Sequence, residues 1–301
     1  MSTGHSDKPG APGGTALVTG ANSGLGFAVT RALAADGLRV LMVARDAGRG
    51  EAARARILDE TGNGRVELLV ADLASQAQVR RLAGEVHARV DALNLLINNA
   101  GTAFRSRGLT ADGIERSLAV NHLAPFLLTN LLLDLLRAGA PSRIINVGTR
   151  IDTAMDFDDL NWQRRPYRMM QAYGQSKLGN IHFTRELARR LADSGVSGVT
   201  VNCVFPGVFR SNLGGTDGAQ GWFWKTLSVL IGWALPAPDK AARRVLYLAR
   251  SPEAAQISGE YIGDRHAIKA PAQADDPAAN ARLWRISAEM TGLQDEEGRP
   301  G

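Results

Sequence analysis

The sequence predicts an α/β fold in which one parallel sheet is covered by helices on both faces. Short apolar segments alternate with amphipathic segments from residue 15 onward, and a glycine-rich turn directly follows the first apolar segment. Continuous apolar strands between helices are typical of parallel sheets that are buried on both faces. Right-handed crossovers then produce a doubly wound, Rossmann-type sheet whose ligand crevice lies at the carboxyl ends of the strands.

The predicted strands are short runs rich in Val, Leu and Ile: Ala16–Thr19, Arg39–Val43, Val66–Val70, Leu93–Ile97, Arg143–Val147 and Val199–Val204. The predicted helices carry apolar residues at helical spacing: Phe27–Ala35, Gln76–Val90, Leu118–Leu136 and Tyr173–Leu191. No second domain is indicated. We expect a single domain over residues 14–293, tails at 1–13 and 294–301, and an insertion at the mouth of the crevice over about 207–238.

Composition is ordinary for a globular protein with a large core, since 45% of the 301 residues are hydrophobic and 22% are charged. The formal net charge is +5, but basic residues alternate with acidic ones and form no stripe, so we expect no nucleic-acid partner. The single cysteine, Cys203, excludes an intrachain disulfide and fits a reducing cytoplasm.

Targeting signals are not evident in the sequence. Residues 1–13 contain no apolar run and are expected to be a disordered tail without a signal peptide or membrane anchor. The segment Trp222–Leu235 contains Lys225 and is too short to span a bilayer. We therefore predict a cytoplasmic location, no transmembrane segment and no metal site.

The turn after the first strand has the composition of a dinucleotide-binding turn. Glycines let a backbone approach a pyrophosphate closely, and the N-terminus of the following helix offers N–H donors and a partial positive charge. The predicted cofactor-binding residues of this turn are Gly20, Asn22, Ser23, Gly24, Leu25 and Gly26. An ordinary glycine turn is the alternative interpretation.

The end of the second strand favours NADP over NAD. An NAD site usually places a carboxylate there for the ribose 2′-hydroxyl, but the sequence has Ala44 followed by Arg45. Arginine can pair with a 2′-phosphate. Asp46 would suit NAD if the register differed by one residue, and Arg45 could also be a solvated loop charge.

Two further strand ends are candidates for cofactor contact. Asp72 and Leu73 close the third strand, where a side chain could meet the adenine. Asn98, Asn99, Ala100 and Gly101 follow the fourth strand, and we include the last three in the cofactor site. A plain turn would use the same residues.

Tyr173 and Lys177 stand four residues apart at the start of a predicted helix, so both side chains lie on one face. A free tyrosine has a pKa near 10, too high for efficient proton transfer at neutral pH. The positive charge of Lys177 favours the tyrosinate and is predicted to lower this pKa. The same ammonium could hold the ribose hydroxyls of a nicotinamide cofactor.

Together these motifs resemble the short-chain dehydrogenase/reductase family, over about residues 14–293. Within it the chain is most similar to the retinol-dehydrogenase-like branch. The segments that carry the closer similarity are Val120–Thr129, Ser176–Asn180, Phe183–Leu191 and Ala281–Trp284.

The resemblance implies the roles of several residues. Tyr173 is the acid–base with Lys177 as its partner, and Asn121 matches the asparagine that makes room for a proton-relay water. The family's Ser-Ser pair after the fifth strand is replaced by Gly148 and Thr149, so Thr149 is predicted to orient the substrate carbonyl. The residues that match the family's turn near the nicotinamide amide are Pro206, Gly207 and Ser211.

The predicted function is that of an NADP(H)-dependent oxidoreductase, such as a ketoreductase, that interconverts a hydrophobic ketone or aldehyde and its alcohol. The aromatic segment Trp222–Leu235 suggests a substrate lid, although a core helix or an interfacial patch would look the same. The alternatives are a non-redox cyclase or isomerase on this fold, and a catalytically silent dinucleotide binder. The helices Leu118–Leu136 and Tyr173–Leu191 could pair with copies of themselves in a homo-oligomer.

Overall fold

A seven-stranded sheet organises the computed structural model, which describes residues 13–150, 152–207 and 238–294. All neighbouring strands are parallel, in the order β3-β2-β1-β4-β5-β6-β7. The strands are β1 Thr15–Thr19, β2 Arg39–Ala44, β3 Val66–Val70, β4 Leu95–Asn98, β5 Ser142–Val147, β6 Val199–Val204 and β7 Tyr261–Ile262. The predicted doubly wound parallel sheet is confirmed.

Helices follow the strands in chain order. They are α1 Gly24–Ala35, α2 Ala47–Thr61, α3 Gln76–His87, α4 Arg116–Leu118, α5 Ala124–Leu131, α6 Leu133–Ala138, α7 Met169–Asp193, α8 Pro238–Arg250 and α9 Pro277–Thr291. A π-helical turn, Ala119–Leu123, joins α4 to α5. Two short 3₁₀ turns lie at Pro252–Ala254 and Ala272–Asp275.

Side chains on alternate positions of each strand enter two separate cores, as the pleat of a strand requires. Ala16 and Val18 of β1 point into the core that contains α1, α2 and α8. Leu17, between them, points into the core that contains α3, α5, α7 and α9. The strands are therefore buried on both faces, which explains why they are apolar at nearly every position.

The long helix predicted over Leu118–Leu136 is instead four short pieces, α4, the π turn, α5 and α6. Pro125 contributes to the break because it has no N–H for an α-helical bond to the carbonyl of Asn121. A second break falls at Leu132, whose φ of −107° and ψ of 10° are not helical. Apolar periodicity continues through both breaks, so the sequence pattern does not show them.

Helix α9 covers part of the helical surface that was expected to pair between copies of the chain. The Trp284 ring lies 4.9 Å from Phe126 on α5 and 5.9 Å from Phe183 on α7, centroid to centroid. These contacts bury the aromatic rings of both helices within one chain. Homo-oligomer formation stays a prediction.

Among the residues that the structure describes, no helix is both long and apolar enough to cross a bilayer. The aromatic segment Trp222–Leu235, proposed as a lid, lies outside the described residues, as do Ser211 and most of the predicted tails.

Candidate active site

The glycine turn between β1 and α1 depends on the missing side chains of its three glycines. Gly20 and Gly24 have positive φ angles of 65° and 55°. A Cβ on Gly26 would lie 2.2 Å from the Gly20 carbonyl oxygen, so no side chain fits there. Helix α1 can thus start directly against the turn, at the carboxyl end of β1.

The residues after β4 hold this turn in place. Asn99 Nδ2 donates to the Thr19 carbonyl at 2.8 Å and to the Gly20 carbonyl at 3.2 Å. The Thr19 hydroxyl in turn accepts from the backbone N–H groups of Asn99 and Ala100, both at 3.0 Å. The Asn99 side chain therefore builds the turn, and the neighbouring Asn98 is buried with Thr129 and Asn146.

Arg45 and Asp46 have different roles in the loop after β2. Asp46 is the N-cap of α2 and accepts from the Arg49 N–H at 2.8 Å. Its carboxylate thus already has a structural partner. Arg45 is exposed and has no hydrogen bond or ion pair within the described ranges. Arg45 is therefore the side chain of this loop that remains available to an anion.

The third strand end carries an acidic turn. One carboxylate oxygen of Asp72 accepts from the Ala74 N–H at 3.0 Å, and the Asp72 N–H donates to Gln78. Leu73 is half-buried and packs against the core below α3. Both residues lie at the crevice edge of the sheet, as predicted, but Asp72 also stabilises the start of α3.

The Lys177 side chain extends from α7 to the end of β5. Its Nζ donates a 2.8 Å hydrogen bond to the Val147 carbonyl. A Cβ on Gly101 would lie 2.8 Å from the same Nζ, so glycine at that position makes the path of the side chain possible. Burial lowers the pKa of Lys177 to about 8. The charged form therefore predominates at neutral pH.

Tyr173 is 9% exposed and lies one helical turn before Lys177. Burial raises the pKa of its hydroxyl, and the nearby Thr149 side chain lowers that pKa in part. The spacing predicts that Lys177 lowers it, yet the Lys177 ammonium binds the Val147 carbonyl, and the side chain that lowers the pKa of Tyr173 is that of Thr149. Tyr173 and Thr149 form a pair of hydroxyl groups at the end of β5.

Asn121 sits in the π turn and joins three segments of the site. Its Oδ1 accepts from the Thr102 N–H at 2.8 Å, while its Nδ2 donates to the Thr102 carbonyl and to the Ser176 hydroxyl at 2.8 and 2.9 Å. The side chain is therefore fully engaged. Pro125 has no N–H to donate to the Asn121 carbonyl four residues before it.

The Pro206–Gly207 turn follows β6. Gly207 has a φ of 89°, which favours glycine, and a Cβ on it would lie 2.7 Å from Arg244 Nη1. The structure thus places this turn at the carboxyl edge of the sheet, near α8.

Two residues that the sequence did not single out also belong to the site, Ser176 and Tyr261. The Tyr261 hydroxyl donates to the Thr149 carbonyl at 2.8 Å.

Comparison with known proteins identifies the family. Residues 14–220 match the family model for short chain dehydrogenases. The chain belongs to the short-chain dehydrogenase/reductase family of oxidoreductases. It is 45% identical to retinol dehydrogenase 13 of Homo sapiens over 288 residues, which cover 94% of this chain and 86% of that protein. It is 41% identical to retinol dehydrogenase 14 of Homo sapiens, covering 93% and 87% of the two chains.

Solved structures agree with this assignment. A protein from Mycobacterium paratuberculosis has a TM-score of 0.75 and 32% identity, covering 95% of this chain and 96% of that one. A short chain dehydrogenase from Burkholderia cenocepacia J2315, solved in complex with NADP, has a TM-score of 0.63 and 30% identity, covering 86% and 97%. The predicted resemblance to the retinol-dehydrogenase-like branch is confirmed by the sequence relatives.

Proposed function

We propose that this chain is an NADP(H)-dependent oxidoreductase that interconverts a lipophilic aldehyde or ketone and its alcohol. The observation that carries the proposal is that the Tyr173 and Thr149 side chains lie close enough to interact, at the carboxyl edge of the sheet where the buried Lys177 ammonium binds the Val147 carbonyl. Two hydroxyl groups and one cation at such an edge suit a carbonyl oxygen that gains or loses a proton.

The residues of the glycine turn fit a dinucleotide. Ser23 makes no side-chain cap on α1, so the first N–H groups of this helix are available to a pyrophosphate. A Cβ on Gly24 would meet no atom within 4 Å, so the backbone is open on that side. Arg45 would hold the 2′-phosphate. The NADP complex of the Burkholderia relative supports this choice of cofactor, which supplies the hydride when bound.

The chain's own residues would then handle the oxygen atom of the substrate. In reduction, Tyr173 donates its hydroxyl proton to the carbonyl oxygen, and Thr149 holds the same oxygen through its hydroxyl. The high pKa of Tyr173 keeps its proton in place until that oxygen develops negative charge. The Lys177 ammonium would hold the ribose hydroxyls of the bound cofactor. A water near Asn121 would return the proton to Tyr173, as the resemblance to the family implies.

The substrate class rests on the relatives. Two of them are named retinol dehydrogenases, which favours a long, apolar alcohol or aldehyde over a small polar one. A cytoplasmic location stays a prediction.

Consumption of NADPH by the purified full chain tests the proposal. A panel should include retinaldehyde, medium-chain aldehydes, aromatic ketones and a small polar aldehyde, each measured with NADPH and with NADH by absorbance and product analysis. We expect NADPH-dependent reduction of the apolar carbonyls. Product formed without net NADPH consumption would favour the cyclase or isomerase alternative, and NADPH binding without any turnover would favour a silent binder.

A further inference from the structure

Thr149 follows a short segment that is tied to the strands beside it. The Gly148 N–H donates to the Val204 carbonyl of β6 at 2.9 Å, which extends the parallel ladder by one residue beyond β5. One residue later, the Thr149 carbonyl accepts from the Tyr261 hydroxyl of β7 at 2.8 Å. The Thr149 backbone is thus held from the far edge of the sheet.

Cys203 explains why residue 148 is a glycine. A Cβ on Gly148 would lie 2.7 Å from Cys203 Sγ and 3.6 Å from the Tyr261 ring. The thiol is completely buried, and burial raises its pKa to about 12, so it acts as a neutral packing group. A serine at 148 would overlap with the sulfur atom. Thr149 is therefore the hydroxyl residue of this pair.

Cys203 and Tyr261 form one unit across the sheet. They are register partners in the β6–β7 ladder. Tyr261 is 2% exposed, and a buried hydroxyl without a partner is destabilising. A phenylalanine would occupy the same space without needing that bond. The tyrosine hydroxyl therefore has one evident use in the structure, which is to hold the Thr149 carbonyl.

We propose that Tyr261 and Cys203 are positioning residues that direct the Thr149 hydroxyl towards Tyr173. The hydrogen bond from Tyr261 fixes the orientation of the peptide group after Thr149. The Cys203 thiol leaves no room for a side chain at residue 148, so the backbone fits there only with glycine. Neither side chain touches the reacting atoms. The inference deepens the proposed function and rests on it for the role of Thr149 in turnover.

Kinetics of a double-mutant cycle test the link between Tyr261 and Thr149. Tyr261→Phe should lower kcat by about 2- to 10-fold, the usual effect of one hydrogen bond, with the KM for NADPH unchanged. In a Thr149→Val background the same change should have no further effect, because the hydroxyl to be positioned is gone. Tyr247→Phe on α8 is the matched control. An equal loss in both backgrounds would overturn the proposal.

A second readout does not need turnover. The protein has four tyrosines, so ¹³Cζ-tyrosine NMR titrations can follow each one, with Tyr173→Phe assigning the signal of Tyr173. We expect Tyr261→Phe to raise the pKa of Tyr173, because the Thr149 side chain that lowers this pKa is then no longer held by the bond to the Thr149 carbonyl. An unchanged pKa would overturn the proposal. A shift in a protein that reduces no carbonyl would instead refute the proposed function alone.

A rescue experiment tests Cys203. Gly148→Ser should reduce activity, since the new side chain meets the thiol, and adding Cys203→Ala should restore most of it. Wild-type activity in Gly148→Ser, or no recovery in the folded double variant, would count against the role of Cys203.

Discussion

The two halves of the sheet build the candidate site in different ways. On the β1–β4 side, the glycine turn depends on missing side chains as well as on the bonds from Asn99: the Gly26 backbone lies against the Gly20 carbonyl, and Gly101 makes room for Lys177. On the β5–β7 side, the site depends on side-chain hydrogen bonds between distant segments, such as Tyr261 to the Thr149 carbonyl. Substitutions of glycines on the first side should therefore act through steric overlap. Those on the second should act through hydrogen bonding and protonation.

The largest expected effect belongs to the β5–β7 side. Tyr173→Phe removes the proton donor and keeps the ring, so turnover should fall by roughly 10²–10⁴-fold, the usual share of general acid–base catalysis. NADPH affinity, measured by titration calorimetry, should stay near that of the wild type. Near-normal turnover would mean that this hydroxyl is not the acid–base.

Lys177→Met tests protonation on the same side of the sheet. The folded pKa of Lys177 is about 8 and its ordinary value is 10.5. Between these values the unfolded state binds more protons, so wild-type stability rises with pH relative to the variant. Below pH 8 the buried charge is present in the folded state and destabilises it by up to about 3 kcal/mol.

Urea unfolding of wild type and Lys177→Met at pH 7 and pH 10 tests whether the stability of the wild type rises with pH relative to the variant. The variant should be the more stable protein at pH 7, with most of the difference gone at pH 10, while its turnover is reduced. If the difference in unfolding free energy between the two proteins does not depend on pH, burial does not lower the pKa of Lys177 in this way.

Gly26→Ala tests the steric side. Its Cβ would overlap with the Gly20 carbonyl oxygen, so we expect a loss of about 1–3 kcal/mol in stability and weaker NADPH binding. Gly84→Ala in α3 is the matched control, since a Cβ there meets nothing within 4 Å. The control should gain about 0.5–1 kcal/mol. Similar unfolding midpoints for the two variants would contradict the steric account.

Arg45→Ala should have the smallest effect, because Arg45 is exposed and its ion pair with a phosphate is screened by water. We expect about tenfold weaker NADPH binding and unchanged NADH binding, measured as Kd values. Arg49→Ala, another exposed arginine close by, is the control. A wild-type preference for NADH would show that the Ala44–Asp46 segment is misinterpreted.

A local sequence pattern predicts some of these elements and residues and not others. The glycine turn, Tyr173 and Lys177 were identifiable because each motif depends on residues only a few positions apart. Helix α2 was not predicted, since only Gly50, Ala53 and Ile57 are buried on it and its apolar periodicity is weak. Strand β7 has two residues, too few for any alternation to show.

The sequence by itself determined the layered architecture, because buried parallel strands must be apolar on both faces and a close backbone approach requires glycine. It also determined which reactive groups the site can contain. Only the tertiary structure decided how these groups pair. Lys177 binds the Val147 carbonyl, Thr149 lowers the pKa of Tyr173, and Tyr261 donates to the Thr149 carbonyl from the last strand. The physical reason is that hydrogen bonds between remote segments depend on the register and packing of whole strands, and no local spacing records them.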